Sequence, residues 1–208
     1  MTSPSPLLFD TYYHIYNRGN NREDIFLEER NYDYFLRLYE KYVAPVAITY
    51  AYCLLKNHFH LAIRVKSEEE IIESLKVSET FRDSPGSRYV SDQFSRFFNA
   101  YAKAINKVCG RTGSLFQHPF GRVRIESGSQ FWHVLAYIHQ NPQKHKFVQD
   151  FRDWKYSSYG AVLTEGPTII DREEVMHWFG TKEAYLALHS QWVSEAQAKR
   201  FAEPDVDD

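Results

Sequence analysis

Cysteine is scarce in this sequence. Two residues, Cys53 and Cys109, among 208 are too few for a disulfide framework, which fits a reducing, cytosolic setting, the bacterial cytosol or nucleoid. No stretch reaches the about 18 consecutive apolar residues that a membrane-spanning helix needs, so no membrane partner is expected. The opening Met1-Thr2-Ser3-Pro4-Ser5-Pro6 has neither a basic segment nor an apolar run behind it, and no secretory leader is expected. Internal repeats and low-complexity tracts are missing too. Net charge is close to zero, −2 with a pI near 6.5, which argues against a general nucleic-acid coat protein. The distribution is another matter. From Arg82 to Arg124 eight Lys/Arg face only Asp83 and Asp92, whereas from Glu165 onward ten Asp/Glu face Arg172, Lys182, Lys199 and Arg200. A basic middle and an acidic tail cancel, and a local basic patch is what phosphate binding requires.

Aromatic residues are abundant, 15 Tyr and 15 Phe, within an apolar content of 43%, enough for one sizeable domain with a core. Residues 1–10 form a loose lead-in. Thr11–Asn17 predicts a strand, Arg18-Gly19-Asn20-Asn21-Arg22 a turn, and Phe35, Leu38, Tyr39 and Tyr42 one stripe of a helix that Pro45 stops. Val46–Leu55 predicts a second strand, and Lys56-Asn57 turns it into a third. Ser67 before three glutamates caps a short helix. Residues 76–89 are expected to be a mobile loop. Val90, Phe94, Phe97, Phe98, Tyr101, Ile105 and Val108 mark a long helix ending at Gly110. Phe116–Ile125 predicts a strand or hairpin with Arg122 and Arg124 on one face. A further helix runs from Ser127 or Ser129 to Asn141, where Pro142 is expected to end it. Asp153–Tyr159 is a packed aromatic segment, helices are expected over about 171–200, and Glu203–Asp208 should be disordered.

The sequence centres on Asn57-His58-Phe59-His60. On a strand, side chains alternate between faces, so His58, His60, Ala62 and Arg64 share one side while Phe59, Leu61, Ile63 and Val65 share the other. The second set is apolar throughout and has to be buried. The first sets two imidazoles side by side, either as metal ligands or as two partly exposed strand histidines.

A second feature points to the same chemistry. With Tyr137 at the origin of a helical wheel, His133 falls at about −40°, Gln130 at about +20°, Asn141 at about +40° and Lys144, if the helix reaches it, at about −20°. Val134, Ile138, Phe131 and Leu135 lie from about 60° to about 160°, and His139 at about 200° points elsewhere. Tyr137 therefore sits in a polar strip beside the buried stripe. A pair of histidines with the side-chain oxygen of Asn141 can hold a metal that polarises a phosphodiester, with the Tyr137 hydroxyl as nucleophile. Zinc would accept the imidazoles, but two His and an amide are not a structural zinc set.

Asn57-His58-Phe59-His60 matches the His-hydrophobic-His (HUH) motif, and Tyr137-Ile138-His139-Gln140-Asn141-Pro142 resembles the catalytic-tyrosine helix of HUH single-tyrosine transposases, especially the REP-associated kind. His14-Ile15-Tyr16-Asn17-Arg18-Gly19-Asn20 and Trp154-Lys155-Tyr156-Ser157-Ser158-Tyr159 resemble that group's opening and closing segments. The resemblance covers about residues 10–162. It implies an α+β, ferredoxin-like sandwich, an antiparallel sheet with helices on one side, over residues 11–162, followed by an acidic, partly helical extension over 163–208. It implies a metal-dependent endonuclease and strand-transferase acting on single-stranded DNA beside a hairpin, as monomer or homodimer. Tyr137 would form a 5′-phosphotyrosine and leave a 3′-hydroxyl that can rejoin. His58 and His60, with Asn141 as third ligand, would bind Mg²⁺ or Mn²⁺; related transposases use a Gln at the equivalent offset. Arg96, Lys103, Lys107, Arg111, Arg122 and Arg124 would then hold the hairpin backbone, and Arg18, Asn20, Asn21 and Arg22 would read neighbouring bases. Phe116, His118 and Phe120 are either stacking platforms or, more often for such residues, core.

Other readings keep parts of this. A hairpin-binding regulator would retain the fold without turnover. Replication initiators and relaxases run to longer chains and often two tyrosines. A structural zinc protein needs a closed ligand set that the sequence does not offer.

Overall fold

The structure, a computed structural model, describes residues 6–76, 86–194 and 197. Most of the expected loop over 76–89 and the expected disordered end at Glu203–Asp208 lie outside the described residues.

Four strands form one antiparallel sheet: β1 (Tyr12–Arg18), β2 (Ala47–Leu55), β3 (His58–Val65) and β4 (Gly121–Ile125), in the order β2-β3-β1-β4. Between β1 and β2 runs α1 (Glu29–Tyr42). Between β3 and β4 lie α2 (Glu68–Lys76) and α3 (Ser87–Cys109). This β-α-β-β-α-β connectivity is the split β-α-β, ferredoxin-like arrangement. Local chemistry sets the element ends. Ser67 and Glu70 exchange bonds as a capping box, Glu70 N–H to Ser67 Oγ at 3.1 Å and Ser67 N–H to Glu70 Oε2 at 2.7 Å. Gly110 stops α3 in the left-handed region at φ 62°. Val108, at the end of the predicted stripe, is 68% exposed, because α3 runs one turn past the core there.

The sheet is covered on both faces, not one. Against the first, α1 and α3 pack Phe35, Leu38, Phe94, Phe97 and Tyr101 onto Tyr13, Ile15, Phe59, Leu61 and Ile63. Against the second lies α4 (Gly128–Lys144), with Phe131, Val134, Leu135 and Ile138 over Ala51, Cys53 and Ala62. A sheet with apolar residues on both sides needs two layers of cover. Pro142 does not end α4. The proline removes the bond to the Ile138 carbonyl, yet the buried turn holds. Asn141 Nδ2 donates to the Tyr137 carbonyl at 2.7 Å, His145 N–H to the Asn141 carbonyl at 2.9 Å and Phe147 N–H to the Pro142 carbonyl at 2.8 Å.

After α4 the chain returns along the outer edge of β2. Ser157 bridges Cys53, Ile170 bridges Thr49, and the Trp154 indole donates to the Leu54 carbonyl at 3.0 Å. The short helices α5 (Tyr159–Leu163), α6 (Arg172–Phe179) and α7 (Lys182–Ser190) then add Val162, Val175 and Tyr185 to the second core.

Two consequences are measurable. Phe59 is fully buried, with ring centroids 5.1 Å from Phe35 and 5.8 Å from Phe98. Phe59→Ala should cost about 3–5 kcal/mol in urea denaturation, and Phe59→Asp should abolish cooperative folding. On α7, burial draws the His189 imidazole down to about 4. The unfolded chain binds a proton there that the folded chain refuses, so stability falls as pH drops from about 6.5 toward about 4. Urea midpoints measured across that window should decline less steeply in His189→Gln.

Candidate active site

Strand register assembles the polar face. In the antiparallel pairing of β1 with β3, Tyr16 lies opposite His60 and Arg18 opposite His58, with His14 opposite Ala62. Directly opposed residues share a face, so His14, Tyr16 and Arg18 join the two histidines. Helix α4 closes over them. The Tyr137 ring stands edge-on to His60 and His14, at centroid distances of 5.6 and 5.9 Å. Two turns on, His145 stands edge-on to His58 at 4.8 Å. Residues four apart on a helix line one face, so Asn141 lies between Tyr137 and His145, above the histidine pair. Tyr137 is 3% exposed, more deeply set than its place in a polar strip beside the buried stripe led one to expect.

Hydrogen bonding defines the donor atoms. The Asn57 side-chain oxygen lies 2.7 Å from His58 Nδ1. A carboxamide oxygen only accepts, so Nδ1 carries the proton and Nε2 the lone pair. His60 Nδ1 lies 3.0 Å from His14 Nε2. Engaging one ring nitrogen in this way orients a metal-binding imidazole and fixes which nitrogen is offered to the ion. The Asn141 amide nitrogen is committed to the Tyr137 carbonyl. Its buried Oδ1 accepts no hydrogen bond among the described residues, an arrangement that normally carries a cost of about 1–3 kcal/mol. Two imidazole nitrogens and one unsatisfied amide oxygen fit a divalent cation of intermediate hardness. Among the described residues no group of three or more His, Cys, Asp or Glu side chains is arranged to hold a metal ion. The Asn141 oxygen is the candidate third ligand beside the histidines. Lys144 adds positive charge, its ammonium 5.2 Å from the Tyr137 ring centroid.

The predicted DNA contacts divide between two places. Arg18 lies on the histidine face, and the turn carrying Asn20, Asn21 and Arg22 follows at the end of β1. Asn20 Nδ2 donates to the Ser114 carbonyl at 2.9 Å, while Asn21 and Arg22 are exposed. Arg122 and Arg124 pair with Ile15 and Tyr13, whose side chains belong to the α1/α3 core, so they occupy the face away from Tyr137. Arg122 covers the Phe120 ring at 3.9 Å, and Arg111 forms an ion pair with Glu23. Arg96, Lys103 and Lys107 are exposed on α3. Arg96 and Lys103 line a groove of about 770 Å³ together with Asn99, Asn106 and His118. Phe116 and Phe120 are core residues.

Sequence reasoning missed His14, Tyr16 and His145. Strand alternation alone marked His14 and Tyr16 as sharing a side, but only the register with β3 shows which side. His145 fell beyond the expected helix end at Pro142.

No family model matches the chain. A Haemophilus influenzae protein named "Putative REP-associated tyrosine transposase" is 26% identical over 113 residues, covering 53% of this chain and 58% of that protein. An Escherichia coli REP-associated tyrosine transposase is 29% identical over 80 residues, covering 38% of this chain and 48% of the other. The matched regions thus span about half the length of these relatives. A solved structure of a REP-associated tyrosine transposase bound to a REP hairpin superposes with a TM-score of 0.55 at 15% identity, covering 82% of this chain and 94% of that one. The chain is similar to REP-associated tyrosine transposases in sequence and has the same α+β fold as the solved one.

Gly121 tests the packing of the site. It lies opposite Tyr16 on β4, where a Cβ would come within 2.2 Å of the Tyr16 ring. In Gly121→Ala the ring end should swing away, at a cost on the order of 1 kcal/mol. The 6.0 Å contact between Tyr16 and His60 would be lost, shifting the His60 ring resonances in NMR spectra while the rest of the sheet keeps its own.

Proposed function

We propose that this chain is a metal-dependent DNA strand-transferase of the REP-associated tyrosine transposase type, acting on single-stranded DNA beside a hairpin. The observation that carries this reading is the placement of one buried tyrosine edge-on to the inner histidine of a His-Phe-His strand. A nucleophile, a nitrogen-rich donor pair and an orphaned amide oxygen within one closed face suit phosphoryl transfer better than simple binding. The relatives' names and the hairpin-bound neighbour point the same way.

In this mechanism Tyr137 Oη bonds to phosphorus as the bond from phosphorus to the 3′ oxygen breaks. The phenolic proton passes to water and the departing 3′ oxygen takes up a proton, so a free 3′-hydroxyl and a 5′-phosphotyrosine result. Rejoining reverses these changes, with the energy of the broken ester conserved in the new one. His58 and His60 through Nε2, and Asn141 through Oδ1, would hold Mg²⁺ or Mn²⁺. When bound, the ion would polarise the phosphodiester and offset its developing charge. His14 holds the His60 ring at Nδ1, and Lys144 places a cation over the Tyr137 ring. Arg18 and the Asn20–Arg22 turn contact nucleotides next to the scissile phosphate, and the α3 cations engage the backbone of the duplex stem in a salt-sensitive manner.

Incubation with a library of single-stranded DNA hairpins and Mn²⁺ should yield a covalent protein–DNA adduct on denaturing gels. The adduct should be missing in Tyr137→Phe. It should fall to background in His58→Ala, whose circular dichroism spectrum and melting curve stay close to those of the parent protein. Hairpin binding without an adduct on any member of the library would instead assign the chain as a hairpin-binding regulator.

A further inference from the structure

Helix α4 carries two more polar side chains: with Tyr137 at the origin of the helical wheel, His139 falls at about 200° and Gln140 at about −60°. His139 and Gln140 are both buried, and among the described residues their side chains bond to segments downstream of α4. His139 Nδ1 lies 2.8 Å from His189 Nε2, and His139 Nε2 lies 2.8 Å from Ser158 Oγ. His189 Nδ1 lies 2.8 Å from the Tyr185 carbonyl. A carbonyl only accepts, so this last contact fixes the direction of the chain. His189 donates to Tyr185, His139 donates to His189, and Ser158 donates to His139. Ser158 Oγ in turn accepts from the Tyr52 backbone N–H at 2.8 Å, which ties the relay to β2. Gln140 completes the grip. Its amide nitrogen donates to the carbonyls of His189 and Gln191 at 3.1 and 2.8 Å, and its oxygen accepts from the Val193 N–H at 3.0 Å.

These are five directed bonds on two consecutive residues of the helix that presents Tyr137. All but the bond to the Gln191 carbonyl are fully buried, where loss of a partner leaves an unsatisfied polar group. Nothing comparable in cost is needed merely to keep an apolar helix on a sheet, since Phe131, Val134, Leu135 and Ile138 already do that. What directed bonds add over apolar contact is a fixed rotation and height of the helix along its axis. Tyr137 lies two residues before His139 and Asn141 one after Gln140, so rotation of α4 would displace both.

We propose that the segment from Ser158 to Val193 is a positioning clamp for the nucleophile helix, with His139, Gln140 and His189 as positioning residues. This rests on Tyr137 being the nucleophile. By gripping α4 through His139 and Gln140, the clamp sets the phenol against His60 and the Asn141 oxygen above the histidine pair. The extension thereby acts on the reaction through its grip on α4.

The test uses the full chain. In Gln140→Met, which keeps volume and removes all three bonds of the amide, amide hydrogen exchange of α4 and α7 should rise while β1 and β3 keep their protection. The single-turnover rate of adduct formation at saturating hairpin DNA should fall about 10- to 100-fold, as about 1 Å of misplacement does. The dissociation constant for the hairpin should stay within twofold. His189→Gln, able to accept from His139, should recover more of the rate than His189→Leu. A rate within twofold of the parent in a variant with α4 exchange raised would overturn the proposal. So would loss of rate and affinity by one factor with exchange raised through the sheet, which would assign the network to folding alone. If the parent chain itself forms no adduct, the strand-transfer reading fails separately. The clamp is then judged by exchange: it stands if loosening stays within α4 and α7, and falls if α4 is unaffected.

Discussion

The two-sidedness of β3 is the constraint on which the molecule turns. One residue step separates Phe59, at the centre of the α1/α3 core, from His58 and His60 on the opposite face. A slip of one position would drive imidazoles into that core and a phenyl ring into the polar layer. Phe59, Leu61, Ile63 and Val65 therefore specify the register, and the histidines take their places because the apolar set cannot be anywhere else. The neighbouring strand then contributes His14, Tyr16 and Arg18 through pairing alone.

A polar layer inside a protein is costly unless its atoms are engaged. Here His58 is tied to Asn57, His60 to His14 and the Asn141 nitrogen to the α4 backbone. The Asn141 oxygen accepts no hydrogen bond among the described residues. It sits in the one part of α4 where a proline has already weakened the helix, so the same turn combines a missing backbone bond with an unsatisfied acceptor. Departures from local rules tend to gather where function requires them.

Much of this was legible in the sequence, for identifiable reasons. Period-two alternation around Phe59 and the helical stripes from Phe35 and Val90 carry strong signals, and the turn at Lys56-Asn57 joins two β-branched runs. The site's remaining parts depend on information a single sequence does not hold. Pro142 argued for a helix end, and only the tertiary environment kept the turn that brings in Lys144 and His145. His139 pointed away from Tyr137 on the wheel, correctly, but nothing in the wheel revealed that residues some fifty positions later would meet it. Arg122 and Arg124 were recognised as sharing a face, yet which face follows from the pairing of β4 with β1. The second layer over the sheet was hidden because α4 and the extension each read as ordinary amphipathic helices.

The edges of the sheet have a consequence of their own. Along β2, the main chain at Tyr52, Leu54 and Thr49 is already bonded to Ser158, Tyr156 and Asp171. At the other margin β4 is five residues long and carries two arginines. A foreign strand thus finds one border taken and the other brief and cationic, a combination that resists runaway lateral stacking. An extended segment rich in main-chain amides would be turned away, whereas a polyanion meeting that cationic border would not.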